Sequence, residues 1–129
     1  MVDSAPIIYF LEGHRTLAPR FGEVFERAAA GDLSIVISTI SLAEVVAGPL
    51  AAGNDVLAET YRAALTHGQG WSVLPVTEDV ALTAARFRVR YRLKLPDAIQ
   101  LATVVTSGAH ALITYDRDFS SVSDVRVLT

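Results

Sequence analysis

The chain has no cysteine, one lysine, one tryptophan and one methionine. Without cysteine there is no disulfide, no thiolate zinc site and no cysteine nucleophile. Charged residues are scarce, at 19% against 51% hydrophobic, which excludes a disordered or low-complexity chain. Long hydrophobic runs are also missing. None approaches the roughly 20 residues that cross a bilayer. The nearest stretch, Pro6 to Leu11, ends at Glu12 and Gly13 and is preceded by Asp3 instead of a basic segment, so it does not read as a signal peptide. A cytoplasmic protein with no membrane partner is expected. Glycine-rich phosphate loops and Ser-His-Asp signatures are absent.

An excess of positive charge is missing too, since the formal net charge is -3. The distribution matters more than the sum. Arg86, Arg88, Arg90, Arg92 and Lys94 gather five of the eleven basic residues into nine positions, and no acid lies between Val80 and Pro96. This basic stripe is the candidate grip for a nucleic-acid backbone. Its bland alternative is a solvated helix face.

The 129 residues suit one domain, spanning 1–129, with no repeat or linker. Strand-like and helix-like segments alternate, as in an α/β domain with a mainly parallel sheet. Strands are predicted at Leu33–Ser38, Trp71–Val76, Ala111–Thr114 and Val125–Leu128. Helices are predicted at Thr16–Ala30, ending before Gly31, and at Asn54–Thr66, capped by Asn54. Another starts at the cap Thr77, and Asp97–Ser107 is opened by Pro96 and closed by Gly108. From Arg86 to Leu95 basic and apolar residues alternate as in a strand. The start at Thr77, with no turn residue after it, instead extends that helix to about Tyr91. His14, His67 and His110 lack metal-ligand spacing and are expected on the surface, with Trp71 and Tyr91 in packing roles. Tyr115, beside Asp116, is better placed to meet a substrate.

Four carboxylates stand at the ends of elements: Asp3, Glu44 in SLAEV, Asp97 before the apolar helix, and Asp116 in TYDRDF. In a parallel sheet the carboxyl ends of strands share one edge, where ligands bind. Each acid alone has a structural explanation. Ser41 and Glu44 have capping-box spacing, Asp97 favours a helix dipole, and Asp116 is a turn residue. Brought together they would repel one another, and a divalent cation removes that cost. Oxygen-only ligands favour Mg²⁺ or Mn²⁺ over Zn²⁺.

Taken in order, VDSAPIIYFLEGH, STISLAEVVAG, LPDAIQLATVV and LITYDRDF resemble the four motifs of the PIN-domain family, and within it the VapC-like toxins. The set covers nearly the whole chain. The resemblance implies a three-layer α/β/α domain with a metal site of Asp3, Glu44, Asp97 and Asp116. It also implies supporting roles for Ser4, Thr114 and Asp118, and a short apolar helix after Asp3. Only Met1 and Val2 precede Asp3, so the first strand, normally central, is expected to be a stub. The implied activity is a Mg²⁺- or Mn²⁺-dependent endoribonuclease that cuts by metal-activated water and leaves 5′-phosphate and 3′-hydroxyl ends. The implied partners are an RNA substrate, a cognate antitoxin and a second copy of the chain, with Asn54–Leu65 in the dimer interface. The alternatives are an RNA-processing PIN nuclease without an antitoxin and an inactive binding module. A phosphoacceptor domain fits poorly, because it wants a lysine after the last strands and Lys94 precedes Asp97.

Overall fold

The computed structural model describes residues 1–129. Its strands are short: β1 (Ile35–Ser38), β2 (Trp71–Leu74), β3 (Leu112–Ile113) and β4 (Val127–Leu128). Strand β1 pairs with β2, and β3 with β4, both in parallel. The segment Met1–Asp3 joins the two pairs. The Val2 N–H donates to the Val36 carbonyl on one side, while Ile113 and the segment exchange two backbone bonds on the other. The spatial order is therefore β2–β1–(Met1–Asp3)–β3–β4. The stub is central as expected, and a single parallel bridge, Val2 with Ile113, marks its place.

Alternation along these short strands sends side chains to two separate cores. On one face Met1 and Leu112 pack with helices α5 (Glu78–Tyr91) and α6 (Leu95–Ser107), through Ala84, Phe87, Leu101 and Val104. On the other, Val2, Ile35, Ile37 and Ile113 meet α1 (Ser4–Leu11), α2 (Gly22–Ala29), α3 (Thr39–Ala51) and α4 (Asp55–His67). Helices cover both faces of a parallel sheet, which is the three-layer architecture expected. No helix is long and apolar enough to cross a membrane.

The caps follow the sequence. Asn54 accepts from the Leu57 N–H, Thr77 from the Val80 N–H, and Gly108 closes α6 at φ 70°. Helix α5 ends at Tyr91, followed by Arg92 in the left-handed region at φ 57°. Two expectations need correcting. Thr16–Ala30 is not one helix but a 3₁₀ turn at Ala18–Phe21 followed by α2. The break falls where Pro19 cannot donate a backbone bond and Gly22 weakens helix propagation. At α3 the cap is Ser38, which accepts from the Ser41 N–H, so the Ser41–Glu44 capping box does not form. Ser41 lies instead inside the helix, fully buried.

Candidate metal centre

The C-terminal ends of the central segment and of β3 carry the first two acids. Asp3 leaves the sheet and caps α1, accepting from the Ser4 N–H at 2.8 Å. Its other oxygen accepts from the Thr114 hydroxyl at 2.7 Å. Thr114 is wholly buried and in turn accepts from the Asp116 N–H at 3.0 Å. One hydroxyl thus ties Asp3 to the loop that carries Asp116. Beyond β3, Asp116 caps a 3₁₀ turn at Arg117–Ser121 by accepting from the Asp118 N–H at 2.8 Å. Asp97 enters from the opposite side, in the first turn of α6.

Asp97, Asp116 and Asp118 each offer a carboxylate oxygen within 4.8 Å of the others. The crowding is felt at Asp97. Burial, then Asp116, Asp3 and Asp118 in that order, push the Asp97 carboxyl up to about 6, and Lys94 opposes the rise. Asp3 is also raised, chiefly by burial, although its bonds from Thr114 and Ser4 pull the other way. Burial and like charge both disfavour ionisation of these acids, and a nearby cation would offset that cost. The donor set is oxygen only, the chemistry that Mg²⁺ and Mn²⁺ accept. The residues present therefore fit such an ion.

Glu44 is placed differently from the aspartates. It is exposed in the second turn of α3 and stands outside the group of three. Asp118, expected only in support, lies within that group, with the Lys94 ammonium 3.9 Å from it. Ser4 and Thr114 both touch Asp3. Gln100, which the sequence reading passed over, lies one turn beyond Asp97 on α6. It is buried and donates to both Ser41 and Asp3. A lone amide in the apolar run AIQLA was the available signal.

The basic stripe does not form one surface. In a helix, residues two apart point to nearly opposite sides. Arg86 and Arg90 therefore flank one side of the exposed Val89, and Arg88 with Arg92 the other. Arg90 is engaged with Asp124 at 3.1 Å and Lys94 lies near Asp118. A second pair of arginines, Arg20 and Arg117, lines a cleft of about 630 Å³ that includes Asp116. Tyr115 also borders this cleft, with its hydroxyl donating to the Leu17 carbonyl at 2.6 Å.

A three-layer parallel α/β domain with clustered carboxylates at the carboxyl edge of its sheet is the class that fold and site define. The PIN domain family model matches residues 1–125, and the chain belongs to the PIN-domain family. Among curated proteins none matches the chain. Among solved structures it resembles a toxin–antitoxin complex from Klebsiella pneumoniae at 25% identity, TM-score 0.74, covering 99% of this chain and 94% of that one. It is also similar to VapBC2 from Rickettsia felis bound to a promoter DNA fragment, at 14% identity, TM-score 0.78, covering 99% and 96%. VapC20 from Mycobacterium tuberculosis, described as a toxin that cleaves the sarcin–ricin loop, matches at 22% identity, TM-score 0.70, covering 97% of each chain.

Proposed function

We propose that the chain is a metal-dependent endoribonuclease, the toxin of a VapBC-type toxin–antitoxin pair. The observation that carries this reading is the convergence of Asp97, Asp116 and Asp118, with Asp3 held beside them by Thr114. Asp97, Asp116 and Asp118 would hold the ion together with Asp3, and Glu44 would join them only from the exposed second turn of α3. When bound, Mg²⁺ or Mn²⁺ supplies Lewis acidity to the scissile phosphate and lowers the pKa of a water placed for in-line attack. The protein's own part is to orient. Thr114 fixes the direction of Asp3, and the Asp118 backbone N–H, donating to the Asp116 carboxylate, fixes the loop.

Either Arg86 with Arg90 or Arg88 with Arg92 offers cations to the RNA backbone along one side of α5, and Arg20 and Arg117 do so in the cleft beside Asp116. The first solved neighbour, a toxin–antitoxin complex at 25% identity, supports an antitoxin partner. A basic side chain of that partner would cover the acids. A homodimer remains part of the reading. Tyr61 and Leu65 of α4 are committed to the core, so the dimer contact from this helix falls to exposed residues such as Val56.

Purified protein incubated with mixed single-stranded RNA should cut it in Mg²⁺ or Mn²⁺ and stop in EDTA. Folded protein that binds neither metal and cuts nothing would count against the reading and favour an inactive binding module.

A further inference from the structure

Helix α6, which carries Asp97, is joined to α3, which carries Glu44, by a buried polar clamp. The Gln100 amide oxygen accepts from the Ser38 hydroxyl at 3.1 Å. Its nitrogen donates to the Ser41 hydroxyl at 2.6 Å and, at 3.4 Å, to Asp3. Gln100, Ser38 and Ser41 are at most 1% exposed. Residues three apart on a helix share a face. Gln100 therefore lies one turn below Asp97 on α6, and Ser41 one turn before Glu44 on α3. The clamp joins α3, α6 and the Met1–Asp3 segment directly under the carboxylates.

Stability does not call for this arrangement. The neighbours Ile99 and Leu101 are apolar, and a buried polar network is often no more stable than an apolar core of similar volume. The network is nonetheless complete, since no buried side-chain polar atom lacks a partner. We infer that Gln100 is a positioning residue, clamping α3 to α6 and to Asp3 so that the carboxylates are held at the spacing a divalent cation requires. This rests on the metal reading above. Outer partners of metal ligands, when lost, typically weaken affinity by about 10–100-fold. Gln100 acts on the ion only through Asp3 and the two helices.

The test compares Gln100→Met with Thr103→Val, reading the Mn²⁺ dissociation constant by calorimetry and the melting temperature of metal-free protein. Methionine matches the length of glutamine, and the Ser38 and Ser41 hydroxyls, 3.5 Å apart, remain able to bond each other. Thr103 is equally buried, but its hydroxyl bonds only the Ile99 carbonyl of its own helix. Both variants lose a buried polar group, and only one loses the clamp. Gln100→Met should weaken Mn²⁺ binding about tenfold or more. Thr103→Val should bind like the wild type even if it melts earlier. Equal affinities for Gln100→Met and wild type, or an equal loss in Thr103→Val, would overturn the inference. If Gln100→Met does not fold, Ser41→Ala removes the shortest bond of the clamp and is read in the same way. A wild type that binds no Mn²⁺ would instead remove the metal reading, and this inference with it.

Discussion

Asp97→Asn is expected to abolish RNA cleavage while raising the melting temperature of the metal-free protein at pH 7. The loss should exceed the roughly 10–100-fold that follows removal of a mere outer partner, because Asp97 is proposed to contact the ion itself. The gain in stability follows from its protonation. Its carboxyl is pushed up to about 6 in the folded chain, against an ordinary 3.8. Below the ordinary value both folded and unfolded chains carry the proton, and there is no penalty. As pH rises from about 3.8 to about 6, the unfolded chain ionises first and stability is lost. Asparagine has no such charge, so the variant keeps what the wild type loses. Asp97 is partly exposed, and solvent screening reduces the effect below the nominal shift. A rise of about 2–4 °C at pH 7 is expected, with none at pH 3.5. A folded variant that cuts at the wild-type rate would remove Asp97 from the site.

Metal should do to the wild type what that substitution does, and more. An ion that binds only the folded state stabilises by about 2.7 kcal/mol at a hundred times its dissociation constant. For a domain of this size that corresponds to a rise of about 10 °C in melting temperature. The rise should depend on pH. Below about 6 Asp97 holds a proton that must leave before the carboxylate can bind. Affinity should then fall about tenfold for each pH unit, and more steeply where Asp3, also raised, takes part. Thermal melts with Mg²⁺ or Mn²⁺ at pH 7.5 and pH 5 check this. Equal shifts at the two values would mean that the ion binds somewhere other than these acids.

Much of the framework could be read from the chain because local chemistry decided it. The strand predicted at Leu33–Ser38 forms over Ile35–Ser38, β-branched on both faces of a covered sheet, and the caps at Asn54, Thr77 and Gly108 each have a specific backbone group to satisfy. The acids stood out as a set because each ended an element. What could not be read was set by tertiary contact. Met1 and Val2 are too few to show a period, so their central place came from the family resemblance, and backbone bonds on both sides hold them there. Alternating arginines suggested one basic surface, and the helical turn divided them between two sides of α5. Ser41 looked like a cap until Ser38, one turn earlier, took that role and left Ser41 to Gln100. Glu44 was grouped with the aspartates by its motif, whereas its position on α3 leaves it exposed and outside the group of three.

The most direct test of the central claim is the chemistry of the ends left on a cut RNA. An end-labelled single strand is incubated with the protein in Mn²⁺, and the products are mapped for their terminal groups. Attack by a metal-activated water predicts 5′-phosphate and 3′-hydroxyl ends that vanish in EDTA. Products bearing 2′,3′-cyclic phosphates, formed equally well in EDTA, would show that the RNA's own 2′-hydroxyl is the nucleophile and that the clustered carboxylates are not the centre of the reaction.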